Sequence, residues 1–303
     1  MEILGKTNID FIGKRNISFV ISSIITIIGI IGIIQIGRGA ANMGIDFSGG
    51  TAMQLKFSKP FAIADARTAL HKHGIDKADL QEIKDGNMLL VKMAGAAVGK
   101  QSDMVQIAFK KEFVDNSFSV ESSTEIGPSV GDKLRKDTLI AVVISLVSII
   151  CYIAWRFDFK FGVGAIAATV HDVMAMIAVF YLMDKEINLL FITAVLTIAG
   201  YSLTDTVVIF DRIRENLHKN LKGAMHNIFN TSINEVLSRT IVTSLTTLLA
   251  AGSLFIFGGE VIHDFSLALL IGIGIATYSS VFVASPIVVI LENRALAKNA
   301  NPA

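Results

Sequence analysis

The sequence predicts a polytopic α-helical membrane protein with six transmembrane helices and an α+β, ferredoxin-like domain inserted after the first. Three observations carry that prediction. Of 303 residues, 52% are hydrophobic and 17% charged, against about a quarter charged in an average globular domain. Half of the charge is confined to a third of the chain: 14 of the 27 Lys and Arg and 13 of the 26 Asp and Glu fall within residues 37–137. Outside that insert lie six apolar stretches, at 17–36, 138–155, 161–183, 187–209, 239–257 and 265–291. Each approaches the roughly 20 helical residues that a hydrocarbon core about 30 Å thick requires.

Residues 1–16 form a polar tail ending in Lys14 and Arg15. The apolar run behind them is longer than the roughly 7–15 residues of a signal-peptide core, so 17–36 is expected to be an uncleaved anchor. With the N-terminus inside, eleven Lys and Arg of the tails and short loops are cytoplasmic, and only Lys185 lies in a short outside loop. That asymmetry fixes the orientation. The insert at 37–137 is then expected outside, in the periplasm or its equivalent.

Within the insert, Met53, Leu55 and Phe57 alternate with polar neighbours as a half-buried strand does. Pro60 opens a helix on which Ile63, Ala66 and Leu70 recur until Gly74. Leu89, Val91 and Met93 alternate again after an Asp85-Gly86 turn, a helix spans about 102–114, and Phe118, Val120 and Ser122 make the last strand. The order β-α-β-β-α-β is that of a ferredoxin-like unit. His71 and His73, at a helix end, are expected to be solvated or to favour the helix dipole rather than to bind metal.

Three of the six spans, 17–36, 138–155 and 265–291, carry no charge. The last is long enough to tilt, or to bend at Pro286. Between the fourth and fifth, Ile213, Leu217, Leu221, Met225 and Ile228 share a helical face, so 211–238 reads as an amphipathic cytoplasmic helix resting on the membrane or on a partner. Residues 292–303 are a cytoplasmic tail. The net charge of +1 excludes a strongly basic nucleic-acid binder. The single cysteine, Cys151, excludes an internal disulfide and multi-cysteine metal sites, and is expected to be a buried, inert thiol.

Three ionisable residues interrupt the spans or their edges: Asp172, Asp205 and Arg239. A charge at mid-bilayer costs a few kcal/mol even on lenient scales, about 2.5–3.5, so such residues face a bundle interior and commonly have a function. Ala194, Thr197, Tyr201, Asp205 and Val208 share one face of the fourth span. Arg239 begins the fifth span at comparable depth, followed by the hydroxyl-bearing stripe Thr243, Thr246, Ala250 and Ser253. An Asp205–Arg239 contact is expected, with Tyr201 and Thr243 beside it. Burial favours the neutral acid and a guanidinium the carboxylate, so an aspartate alternating between those surroundings can relay protons. Asp172, after His171, is either an auxiliary proton site or a group that hydrogen-bonds helices together. No catalytic or metal-ligating set is found: there is no His-Glu-x-x-His pair and no serine-protease turn.

The segment from Gly200 to Asn216, Gly-Tyr-Ser-Leu-Thr-Asp-Thr-Val-Val-Ile-Phe-Asp-Arg-Ile-Arg-Glu-Asn, resembles the fourth-span hallmark of the SecF family. Its members are the smaller subunits of bacterial SecDF protein-export factors, in the RND superfamily. Gly44 to Thr51, and Ser238-Arg239-Thr240 with the stretch from Thr243 to Leu249, resemble that family's motifs as well. The resemblance implies half of an RND-type bundle in the bacterial inner membrane, paired with SecD and working with the SecYEG channel, SecA and YajC. It implies that the proton-motive force assists late translocation of an unfolded preprotein, with protons as the coupling ion and no other cofactor. The family motif would comprise Gly200, Ser202, Asp211 and Arg212, and its proton pathway Asp205 and Arg239. Glycine-rich spans such as 265–291 are candidates for the SecD contact. The competing readings are a small-molecule exporter of the same superfamily, a structural subunit that conducts no protons, and an intramembrane enzyme.

Overall fold

A computed structural model describes residues 5, 7–76, 78–83, 87–94, 100–219 and 224–300. They form two compact units: one of residues 43–141 and 186–189, the other of the remaining chain.

In the smaller unit, strands β1 (Gly50–Phe57), β2 (Ala78–Ile83), β3 (Met88–Ala94) and β4 (Phe118–Ile126) form an antiparallel sheet of order β2-β3-β1-β4. A four-residue helix α2 (Ile45–Ser48) precedes β1, and helices α3 (Ile63–Lys72) and α4 (Lys100–Glu112) connect the strands. This is the ferredoxin-like topology expected from the period-2 and period-3.6 patterns. Met53, Leu55, Phe57, Leu89, Val91 and Met93 are buried against Ala66, Leu70, Val105 and Phe109 of the two helices. Gly74, at φ +76°, ends α3 in the left-handed conformation, and the Ile75 amide donates back to the Leu70 carbonyl. The last strand departs from the expected half-buried pattern. It is an edge strand of which Phe118 packs on the core of the unit, while Val120 is exposed. The Asp85-Gly86 turn lies outside the described residues. Lys72 and His73 lie near Glu112, and His71 near Asp76; no metal-holding group of His, Cys, Asp or Glu exists among the described residues.

Among the described residues six helical segments are long and apolar enough to cross a membrane. They are α1 (Arg15–Gly37), α5 (Pro128–Arg156), α6 (Phe159–Leu182), α7 (Leu189–Lys219), α8 (Met225–Phe257), and α9 (Glu260–Ser279) continued by α10 (Ser285–Ala300). A π-helical turn at Ser280–Ala284 joins α9 to α10 one turn before Pro286. Proline has no N–H to give and its ring crowds the carbonyl four residues back, that of Phe282. The wider turn accommodates both.

Small residues let the helices approach closely. A Cβ on Gly29 of α1 would collide with the Met174 backbone carbonyl of α6, and one on Gly164 of α6 would lie 3.0 Å from the Ala284 carbonyl. In the glycine-rich 265–291 segment Ala268, Ile273, Ala276 and Val281 are buried, while Gly274 is exposed. Two further expectations need correction. Asp211–Lys219 continues α7 and Met225–Ser238 opens α8, so 211–238 is not one surface helix. Its apolar side chains Ile213, Ile228, Phe229 and Ile233 are buried in the core with Phe11 and Ile12, because a helical hairpin buries that face more completely than a membrane surface would. Cys151 is exposed, since α5 turns few side chains inward; Leu139, Ile140, Val143 and Ile144 are exposed too.

Candidate functional site: two carboxylates among hydroxyls

Asp205 lies midway along α7 and is half-buried. Its Oδ1 accepts a hydrogen bond from Thr240 Oγ1 of α8 at 2.8 Å, and its Oδ2 one from Ser280 Oγ at 2.7 Å, at the start of the π-helical turn. Three segments thus converge on one carboxyl group, and both donors are neutral. One turn away, Tyr201 Oη donates to Ser244 Oγ at 3.3 Å, and Ser244 meets Thr277 Oγ1 at 2.7 Å.

The expected Asp205–Arg239 ion pair does not form. Arg239 is exposed, and Thr240 faces Asp205 in its place. Successive residues of an α-helix are about 100° apart around the axis, so α8 can present only one of the two to α7. Thr243 is exposed and back-bonds to the Arg239 carbonyl at 2.9 Å; it does not join the cluster.

Asp172, near the middle of α6, is completely buried. Its Oδ2 accepts from Ser202 Oγ of α7 at 2.5 Å and from Ser279 Oγ at 2.9 Å, and its Oδ1 lies 3.1 Å from His171 Nδ1. Consecutive serines therefore serve the two acids: Ser279 donates to Asp172 and Ser280 to Asp205. Sequence reasoning missed Thr240, Ser279, Ser280, Ser244 and Thr277. Thr240 and Ser244 lie within the motif stretches quoted above, and for the others the available signal was a run of four hydroxyl residues, Thr277-Tyr278-Ser279-Ser280, inside an apolar span.

The motif residues separate by role. Ser202 binds Asp172, while Gly200 is exposed with open space around it. Asp211 accepts from Arg156 with both oxygens at 2.7 Å, and Arg212 bonds Glu235 and Glu215, each at 2.6 Å. These ion pairs tie α7 to α5 and to α8.

Comparison with known proteins decides the family. The model "Protein export membrane protein SecD/SecF, C-terminal" matches residues 106–294, and the "SecD/SecF GG Motif" model matches 41–61. The protein translocase subunit SecF of Thermodesulfovibrio yellowstonii is 54% identical over 300 residues, covering 98% of this chain and 99% of that protein. That of Calditerrivibrio nitroreducens is 38% identical over 296 residues, covering 96% of each. The chain belongs to the SecF family. Its fold matches the crystal structure of SecDF, a translocon-associated membrane protein from Thermus thermophilus, with a TM-score of 0.82 and 33% identity. That match covers 95% of this chain and 39% of the SecDF chain, so this SecF-family chain spans about two fifths of the solved one. A SecDF structure in the super-membrane-facing form gives a TM-score of 0.71, again at 33% identity, covering 99% of this chain and 41% of that one.

The GG motif of the SecF family is Gly49-Gly50 here. Both adopt positive φ, +67° and +141°, which side chains of L-residues resist. They turn the chain from α2 into β1, and a Cβ on Gly49 would meet the Ile126 carbonyl at 3.3 Å. Within the same unit, Asp46 Oδ2 accepts the Leu189 amide at 2.9 Å, satisfying a free donor at the first residue of α7.

Proposed function

We propose that this chain is the SecF subunit of a SecDF machine in the bacterial inner membrane, and that it couples the proton-motive force to late preprotein translocation. In this reading it pairs with SecD and works with SecYEG, SecA and YajC on an unfolded preprotein. Both termini are cytoplasmic and the ferredoxin-like domain is periplasmic. Protons are the coupling ion, no other cofactor is needed, and the chain makes no covalent bonds.

The observation that carries the reading is the setting of Asp205. A carboxyl group held by two neutral hydroxyl donors can gain or lose a proton without breaking an ion pair. Hydroxyls rotate, so Thr240 and Ser280 can donate to the carboxylate or accept from the acid. Arg239, next to Thr240 but outside the cluster, is placed for a second state. A rotation of α8 that exchanges Thr240 for Arg239 would bring a fixed positive charge to Asp205 and favour proton release. One charge crossing the membrane is worth about 2.3 kcal/mol per 100 mV, enough to bias such an exchange when it is repeated.

The test compares Asp205→Asn with Asp205→Glu in SecDF-containing inverted membrane vesicles, with preprotein translocation measured with and without a proton gradient. Asp205→Asn is expected to remove the gradient-dependent part while complex abundance stays normal, and Asp205→Glu to restore some of it. Full gradient dependence in Asp205→Asn at normal abundance would leave the chain a structural subunit.

A further inference from the structure

We propose that the His171–Asp172 pair is a second proton-binding site, loaded at His171 Nε2 by a water molecule entering the cavity between α1, α6 and α9. The inference rests on the proton-driven reading of Asp205 and extends it to a group that reading does not use.

His171 is 5% exposed, and its Nδ1 is engaged with Asp172. Its Nε2 has no hydrogen-bond partner among the described residues and is buried, so a small turn of the ring is what opens it to the cavity. With Nδ1–H donating to the carboxylate, neutral imidazole presents a bare lone pair at Nε2. Burying such a group unsatisfied costs about 1–3 kcal/mol, so the site favours an occupant that can donate. The ring lines a cavity of about 270 Å³ whose other walls include Ile21, Ile25, Ala175, Ile275 and Tyr278. A lipid chain filling that space has no proton to give and would leave Nε2 unsatisfied. Water satisfies it, and a protonated water delivers H⁺ to it. The step forms one N–H bond, returns neutral water, and leaves an imidazolium beside the Asp172 carboxylate. Apolar walls keep such a cavity dry between visits, so a single water reaches the ring only transiently and the site can load without becoming an open leak.

Among the described residues, few polar groups face the pair. Tyr278 of α9 has its ring centroid 6.0 Å from that of His171, and its hydroxyl is occupied by the Ser18 carbonyl and Ser22 of α1. Ser202 of α7 and Ser279 bind Asp172. The next acid is Asp205, reached through Ser280, the neighbour of Ser279. The two serines end α9 and open the π-helical turn, so a change in that turn moves the donors of both carboxylates together. Extra-residue turns of this kind recur at functional sites.

The test uses the full-length chain co-purified with SecD in lipid nanodiscs, with ¹⁵N-labelled histidine, and His171 assigned by its loss in His171→Gln. Nitrogen NMR recorded across the range histidine serves, about pH 8 to about pH 5, is expected to show Nε2 of His171 gaining a proton. His171→Gln keeps a donor for Asp172 but takes no proton. It is expected to reduce gradient-driven translocation by about 100-fold, the lower end of what a placed proton-transfer group contributes, and to flatten its pH profile. A His171 that stays neutral across the range overturns the proposal, even with Asp205→Asn inactive. If His171 gains its proton while Asp205→Asn keeps gradient-driven translocation, the second site stands and the Asp205 reading falls.

Discussion

Asp10 shows how a single carboxylate can hold a chain terminus in place. Its Oδ1 accepts from the Gly13 amide at 2.8 Å and from Asn230 Nδ2 at 2.7 Å, while Asn230 Oδ1 accepts the Phe11 and Ile12 amides, each at 3.0 Å. The Gly13 N–H first, and the Asn230 amide second, hold the Asp10 carboxyl below the ordinary aspartate range. A group whose affinity for protons is lower when folded stabilises the fold above its unfolded pKa, and that contribution is lost as pH falls through its folded value. Protection of the Gly13 amide from exchange, corrected for intrinsic rate, is therefore expected to decline as pH drops below about 4. Asn230→Ala is expected to lose protection at Phe11 and Ile12 at every pH. Unchanged protection in acid would mean that burial of Ile12, not Asp10, holds the segment. The residue scale also separates what the sequence makes legible from what it hides. Asp172 and Asp205 stand out because an acid in an apolar helix is rare. Their partners do not, because serine and threonine in membrane helices usually bond their own backbone, as Thr204 does to the Gly200 carbonyl.

Helices and strands were legible to the extent that their burial is periodic. Every apolar run became a helix, and the alternation of Met53, Leu55 and Phe57 placed a strand whose neighbours follow from topology. Helix ends were less legible. Hydropathy stops at the first charge, whereas backbone hydrogen bonding continues, so α7 and α8 run well past the apolar windows into a hairpin closed by Arg212–Glu235. Helix packing follows a rule of local space that can be tested with glycines. Gly29→Ala would press a methyl group on the Met174 backbone, which cannot move aside, and overpacking of that kind costs about 1–3 kcal/mol. Gly272→Ala meets Cγ1 of the buried Ile198 at 2.5 Å, a β-branched side chain with little freedom to turn aside, and Gly252→Ala meets open space. Thermal unfolding in detergent is expected to rank Gly29→Ala and Gly272→Ala both well below the parent, with Gly252→Ala close to it. Equal midpoints for the first and last would show that α1 shifts freely on α6.

At the scale of the whole molecule, one face is polar at a depth where lipid is not. Thr197, Gly200 and Thr204 are exposed along one side of α7, and Arg239, Thr243 and Thr246 along one side of α8. They flank the Asp205–Thr240 and Tyr201–Ser244 contacts. The threonine hydroxyls are spent on backbone carbonyls of their own helices, but an exposed guanidinium and a bare glycine make a poor lipid surface and a good helix-packing one. The solved SecDF chain is far longer than this one, which covers 39% of it; under the proposed function, SecD supplies the missing span pairs. Under that reading this face is expected to pack against SecD, and Asp205 to be fully enclosed only in the pair. Gly200→Leu and Thr204→Leu should leave the thermal midpoint of the isolated chain unchanged, because neither position touches its interior. Both should sharply reduce recovery of SecD in affinity co-purification, whereas Leu139→Ala, on the exposed side of α5, should not. Normal SecD recovery with both leucine variants would place the partner elsewhere and leave Arg239 facing lipid, a position that its charge makes costly.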